Sequence, residues 1–179
     1  MGGFEFLIGV PGTVGGAVRI NAGCFGQEIS NLVQEILIMD KNGKIEWLKR
    51  DDIHFFYRGS SLKKEQLTIL KVVFHAFCER PGNIRNNIRR YSLLRKKFQP
   101  VGWPSAGSVF KNPPKDYAAR IIEQMGFKGL RSGFAQVSEK HSNFIINRGS
   151  ATARDVLVLM NWIRKEVERE KNIFLENRL

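Results

Sequence analysis

Along residues 84–98 (IRNNIRRYSLLRKKF) the apolar positions Ile84, Ile88, Tyr91, Leu94 and Phe98 recur every three or four residues. That is the spacing of one helix face, and arginines and lysines fill the rest, so the pattern predicts an amphipathic helix with a basic outer face. Helical spacing returns near the C-terminus. Val156, Met160, Ile163 and Val167 define the buried stripe of a helix that starts at a capping-box-like Thr152-x-x-Asp155 and runs to about Lys171. A shorter helix is expected in KDYAARIIEQMGFKG (115–129), stopped by Gly126 or Gly129.

Other stretches follow strand rules. In LVQEILIMDKNGKIEWL (32–48) two apolar runs flank Asn42-Gly43, a strong short-range signal for a β-hairpin. TILKVVFHAF (68–77) is rich in β-branched and aromatic side chains and reads as a buried strand; His75 within it reads as structural. NFIIN (143–147) reads as a short strand, and DDIHFFYRGSS (51–61) as a turn or short helix leading to a polar loop. Two stretches dense in glycine and proline, GVPGTVGGAVRINAGCFG (9–26) and QPVGWPSAGSVFKNPP (99–114), read as backbone loops, since glycine weakens helices and strands and proline removes a donor. The mixed order of elements indicates an α+β fold rather than a doubly wound sheet.

Composition adds limits. A chain of 179 residues suits one domain or slightly more, and 42% hydrophobic residues can bury a core. No apolar run is long enough to span a membrane, and MGGFEFLIGV lacks the basic n-region and long apolar core of a signal peptide. Cys24 and Cys78 form neither a metal spacing nor a disulfide framework; they read as small, mostly buried thiols of a reducing compartment, which places the chain in the cytoplasm, with no metal. The net charge of +12 is concentrated: Arg80 to Lys115 holds nine Lys or Arg residues and no acid. Such a face can be merely solvated, or attract a small polyanion, or bind nucleic acid. No helix-turn-helix, zinc finger or aromatic RNA-binding signature accompanies it.

Candidate chemistry is spread over the loops. PGTVGGA is neither a Walker loop nor a Rossmann fingerprint, yet it can turn sharply and present N–H groups to phosphate oxygens, or serve only as a turn. Arg58 in FYRGSS is either a surface charge or a planar fork for a carboxylate or enolate oxygen. Ser108 in SAGSVFKNP, followed by Lys111 and Asn112, can donate a proton if a neighbour tunes it; no nucleophile elbow is present.

Five stretches occur in order: GVPGTVGGAVRINAGCFGQEI, FFYRGSS, QPVGWPSAGSVFKNP, GLRSGFAQVSEKHSNFIIN and NIFLE. Over nearly the whole chain this set resembles the UDP-N-acetylenolpyruvoylglucosamine reductase family, flavoenzymes that make UDP-N-acetylmuramate for peptidoglycan. The short passage between Ser61 and Thr68 lacks the tyrosine-bearing insertion of one subgroup, so the chain looks like the shorter, second type.

The resemblance implies an α+β architecture: the second half of a vanillyl-alcohol-oxidase-type FAD-binding domain over residues 1–100, then the family's small α+β substrate-binding domain over 101–179. It implies that Val10, Pro11, Gly12, Gly15, Gly16, Ala22 and Gly23 line FAD. Arg58 would hold the substrate carboxylate and stabilise the enolate, and Ser108 would protonate the carbon. Lys96, Asn112 and His141 would line the site of the substrate, UDP-N-acetylglucosamine enolpyruvate, or of NADPH, the hydride donor. Both ligands are polyanions, which suits the basic charge. Against the family's pattern, Arg19 replaces a usual apolar residue, and Arg178 stands where the family has a glutamate that partners the arginine and serine. The family also carries an N-terminal FAD half ahead of the glycine loop, so both ends look shortened. Three further expectations follow: weak FAD binding by the chain alone, an inactive fragment or half of a split reductase as one alternative, and a basic nucleic-acid-binding protein as another. Nucleic acid and membrane are not expected partners.

Overall fold

The computed structural model describes residues 1–63 and 67–178, which form two compact units, Met1–Leu93 and Leu94–Leu179. Residues 64–66, and with them part of the passage on which the assignment to the shorter type rests, lie outside the described residues.

The first unit contains α1 (Val14–Arg19), β1 (Gly23–Cys24), β2 (Gln27–Glu28), β3 (Val33–Met39), β4 (Ile45–Lys49), β5 (Phe55–Phe56), β6 (Gly59–Ser60) and β7 (Thr68–Phe74). α2 (Pro81–Phe98) carries the boundary between the units. β3 is the centre of an antiparallel sheet ordered β4-β3-β7. Its buried residues are Val33, Ile36 and Ile38, and a register shift between Val33 and Glu35 resets the alternation so that all three reach the core. That core adds Val18, Ala22, Ile29, Ile53, Leu62 and Leu67.

The hairpin at Asn42-Gly43 forms as expected. Gly43 N–H donates to the Asp40 carbonyl (3.1 Å), Gly43 takes φ 83°, and the Asp40 carboxylate accepts from the N–H groups of Asn42 and Lys44 (2.8 and 2.9 Å).

Four readings in this unit need correction. The glycine-rich stretch is not all loop, because α1 sits inside it. Thr13 Oγ1 accepts from Gly16 N–H (3.1 Å) at one end. At the other end Asn21, at φ 47°, closes a Schellman motif through Asn21 N–H to Val18 O (3.0 Å) and Ala22 N–H to Ala17 O (2.8 Å). Caps at both ends offset two interior glycines. Residues 51–61 begin in the expected short helix, a 3-10 turn over Arg50–Asp52, but the polar loop after it is a miniature hairpin, β5–β6, whose two-residue turn is Tyr57-Arg58. β7 is an edge strand with no buried residue: only one of its faces meets the core, and a register shift opposite Leu37 and Ile38 leaves Leu70 exposed. His75 follows the strand and is exposed, as is Cys78 in the connection to α2; Cys24 is half-buried, so the thiols are not core residues.

α2 begins at Pro81, three residues before the expected start, as suits a proline at the first helical position. Glu79 accepts from Arg80 N–H (2.8 Å) and Asn83 Nδ2 (2.7 Å), and the Asn83 bond leads in holding its carboxyl below the usual range. None of its apolar residues is buried. Tyr91 stacks on Phe25 (4.8 Å between ring centres) and its hydroxyl accepts from Gln27 Nε2 (2.9 Å).

The second unit contains β8 (Ser105–Ser108), α3 (Ala118–Gln124), β9 (Arg131–Ser132), β10 (Ala135–Val137), β11 (Phe144–Asn147) and α4 (Ala153–Lys171). The strands form an antiparallel sheet ordered β8-β11-β10-β9. The second loop-like stretch therefore contains a strand, β8, ordered by pairing with β11. α4 has the expected bounds, with a complete capping box between Thr152 and Asp155. Its buried stripe is Leu159, Met160, Ile163 and Val167; Val156 is only half-buried. These residues close a core with Phe110, Ile121, Ile122, Val137, Ile145 and Leu175.

Residues after α4 return to β8. Lys111 N–H donates to Glu176 O (2.9 Å), Arg178 N–H donates to Val109 O (2.9 Å), and Phe110 and Asn177 form an antiparallel bridge. The mixed helix and sheet content is the α+β class read from the sequence.

Candidate active site

In the first unit, Arg58 and the glycine-rich stretch meet at Gly23. A Cβ on Gly23 would lie 2.7 Å from the Gln27 carbonyl oxygen, 2.9 Å from Glu28 Cγ and 3.0 Å from Arg58 Nη1. Gly23 is thus required by the protein's own packing. Gly12 is a different case: its φ of 116° excludes other residues, and a Cβ there would meet nothing within 4 Å. Val10, Pro11 and Gly16 are exposed, Gly15 rests against Ile69, and Ala22 is a core residue whose N–H and C=O bond to Ala17 and Ile29. Arg19 donates to the Leu67 carbonyl, which gives its side chain a fixed structural use.

Arg58 takes φ 57°, left-handed for a non-glycine residue, in the turn of β5–β6. Gly59 allows this tight turn, because a Cβ there would lie 2.2 Å from the Phe56 ring. The Arg58 guanidinium lies over Tyr57 (5.2 Å), its Nε is buried with no hydrogen-bond partner, and among the described residues no carboxylate forms an ion pair with it. A buried N–H of this kind is a donor awaiting an acceptor.

Sequence reasoning missed Asn21, which is buried. Its Nδ2 donates to Glu28 Oε2 (2.7 Å) and the Phe56 carbonyl (3.1 Å), and its Oδ1 accepts from Ser30 N–H (3.2 Å). An asparagine just past a glycine-rich, threonine-capped turn of helix was the available signal.

In the second unit, Ser108 is half-buried at the end of β8, in register with Phe144. His141 packs edge-on against Phe144 (4.6 Å), so Ser108 and His141 share one neighbour. His141 Nδ1 accepts from Asn143 N–H (3.3 Å), which leaves Nε2 carrying the proton of the neutral ring. Burial pushes this imidazole below its ordinary value, and the Lys128 ammonium acts in the same direction. Asn112 Oδ1 accepts from Ala118 N–H (3.1 Å) at the start of α3. Lys96 has an exposed side chain, and its carbonyl accepts from Lys140 Nζ.

The residue missed here is Asn143. Its side chain accepts from Phe110 N–H (3.0 Å) and donates to the Phe110 carbonyl (2.9 Å), while its carbonyl accepts from Val109 N–H (2.9 Å). One amide thus substitutes for a strand partner immediately after Ser108.

Among the described residues no cluster of His, Cys, Asp and Glu could hold a metal, and no helix is long and apolar enough to cross a membrane.

Within the second unit, residues 99–179 match the family model described as "UDP-N-acetylenolpyruvoylglucosamine reductase, C-terminal domain". The chain is 44% identical over 177 residues to the UDP-N-acetylenolpyruvoylglucosamine reductase of Thermotoga maritima, covering 98% of this chain and 62% of that one. It is 45% identical over 173 residues to that of Clostridium kluyveri, covering 97% and 57%. The crystal structure of UDP-N-acetylenolpyruvylglucosamine reductase from Thermus caldophilus superposes with a TM-score of 0.84 at 33% identity, covering 99% of this chain and 63% of that one. Along nearly its whole length the chain is similar to UDP-N-acetylenolpyruvoylglucosamine reductases, and it spans about three fifths of the length of these relatives.

Proposed function

We propose that this chain carries the substrate-binding domain, residues 101–179, and part of the FAD-binding domain, residues 1–100, of a reductase. That enzyme would convert UDP-N-acetylenolpyruvoylglucosamine to UDP-N-acetylmuramate in peptidoglycan precursor synthesis. The observation that carries this reading is Arg58: a half-buried guanidinium on a strained turn, beside the glycine-rich stretch, with no ion pair among the described residues.

The residues present fit FAD in kind. Ile8, Val10, Val14 and Ile20 expose apolar side chains along the same stretch as the open backbone at Gly12. Val10, Pro11, Gly12, Gly15, Gly16 and Gly23 would line the flavin, with Ala22 supporting them from the core. FAD, reduced by NADPH, would supply the hydride that adds to the enolpyruvyl double bond.

Arg58 would hold the substrate carboxylate as a bidentate fork and stabilise the negative charge that hydride addition places on the adjacent carbon. Ser108 would deliver the proton from Oγ to that carbon. Asn112, Lys96 and the neutral His141, through Nε2–H, would bind the nucleotide ligands. Arg178 is held by its backbone one residue from Ser108, at Val109, so the family's glutamate position lies beside the proposed proton donor.

The test joins the N-terminal segment of the Thermotoga maritima reductase to this chain and follows each half-reaction by stopped flow. Ser108→Ala should slow flavin reoxidation by the enolpyruvyl substrate about 10²–10⁴-fold and leave flavin reduction by NADPH little changed. Equal rates of reoxidation in the parent, Ser108→Ala and Arg58→Met would overturn the assignment.

A further inference from the structure

We propose that Asn21 is a positioning residue that keeps Arg58 open to an anion by holding the Glu28 carboxylate away from it. The inference rests on the reading of Arg58 as the group that receives the substrate carboxylate.

Glu28 Cγ and Arg58 Nη1 both lie within 3.0 Å of a single point, the place a Cβ on Gly23 would take. The Glu28 side chain and the guanidinium are thus within reach of an ion pair. Here they do not form one. Glu28 Oε2 accepts instead from Asn21 Nδ2 at 2.7 Å, and Arg58 keeps a buried, unpartnered Nε.

Asn21 is suited to this task on three counts. It is 1% exposed, so no water competes for its amide. Its backbone is fixed by the end of α1, at a φ of 47° that asparagine tolerates. Its amide makes three bonds at once, to Glu28, to Ser30 N–H and to the Phe56 carbonyl, the last only two residues before Arg58. The same side chain therefore occupies the competing carboxylate and anchors the hairpin that presents the arginine. Aspartate could not do this: it would lose both donors and set a second negative charge against Glu28.

The anion that Arg58 is kept for is a carboxylate on the ligand, because the planar guanidinium offers two parallel N–H donors. Removing the Asn21 amide frees Glu28 to take that role internally. Substrate must then displace an intramolecular ion pair before it binds.

The experiment uses the 179-residue chain labelled with ¹⁵N-arginine. The Arg58 Nε–Hε signal, assigned by its loss in Arg58→Lys, reports pairing of the guanidinium. Asn21→Gly removes the amide while accepting the left-handed backbone. It should move that signal in ligand-free protein, and adding Glu28→Gln should return it to its original position. Affinity for UDP-N-acetylenolpyruvoylglucosamine, by calorimetry, should fall about five- to tenfold in Asn21→Gly and recover to within about twofold in the double variant.

An unmoved signal in Asn21→Gly, or a shift that Glu28→Gln fails to reverse, overturns the proposal. Glu28→Gln alone needs no Asn21 variant to fold, and it should leave the Arg58 signal where it is. A displacement there would mean that Glu28 already pairs with Arg58, and it also overturns the proposal. If the parent signal does not respond to the sugar nucleotide, the substrate role of Arg58 fails, while the ligand-free comparison still decides the role of Asn21.

Discussion

Asn143→Ala should destabilise the second unit more than an ordinary polar substitution. Asn143 is 3% exposed and Phe110 is 1% exposed, so no water waits to replace the amide. The change strands one N–H and one C=O of Phe110, whose bonds to Asn143 measure 3.0 and 2.9 Å. Leaving a buried polar group unsatisfied costs about 1–3 kcal/mol, so two such groups set an expectation of about 2–5 kcal/mol. That is a large share of the roughly 5–15 kcal/mol by which domains are stable. The corresponding drop in melting temperature is about 4–20 °C, at about 2–4 °C per kcal/mol for a chain of this size.

Urea unfolding followed by tryptophan fluorescence in a Trp47→Phe background confines the signal to the second unit, where Trp162 packs on Phe127 at 4.6 Å. Asn143→Asp is the informative companion. It keeps an acceptor for Phe110 N–H but sets a carboxylate against the Phe110 carbonyl, so it should be at least as damaging at neutral pH and recover in acid. A loss below about 1 kcal/mol for Asn143→Ala would refute the reasoning, since even one unsatisfied buried group costs that much.

Thr152→Ala removes the capping box of α4 and should cost about 1 kcal/mol, read from the same urea titration. Gly23→Ala drives a Cβ into the Gln27 carbonyl; thermal unfolding should show a loss of about 1–3 kcal/mol, because backbone cannot swing aside as a side chain can. For His141 the folded state holds the proton less tightly than the unfolded chain, whose value is near 6.5. The neutral ring therefore contributes stability fully above that pH, and the contribution is lost as pH falls through the lower folded value. Urea midpoints from pH 8 to 5 should fall on the acid side, and His141→Gln should flatten that fall. In the fusion with the Thermotoga maritima segment, Arg178→Glu should speed flavin reoxidation by the enolpyruvyl substrate, about 10²-fold or more if the acid–base contribution is restored; unchanged stopped-flow rates would remove any role for this position.

What could be read from the sequence was the structure that local rules determine. The Asn42-Gly43 hairpin and both ends of α4 follow from turn and cap chemistry within a few residues. What could not be read depends on partners far along the chain. β8 looks like a loop because Ser105–Ser108 has no alternation; it becomes a strand only by lying against β11. α1 was hidden by its glycines, and only the paired caps Thr13 and Asn21 show why it forms. The candidate site divides in the same way. Arg58 and Ser108 entered the proposal through their motifs. Asn21 and Asn143 look like ordinary polar residues in sequence, because their roles lie in bonds to residues 7 to 35 positions away.

The return of residues 176–178 to Val109–Lys111 sets an order of events during synthesis. Lys111 and Glu176 are 65 positions apart, so the outer edge beyond β8 stays unpaired until residues 176–178 have emerged from the ribosome. A nascent chain that has released α4 but not residues 176–178 can build β9–β11 and α4, but it cannot close that edge. The segment just after Ser108 therefore gains its outer partner only after β8 can already pair with β11.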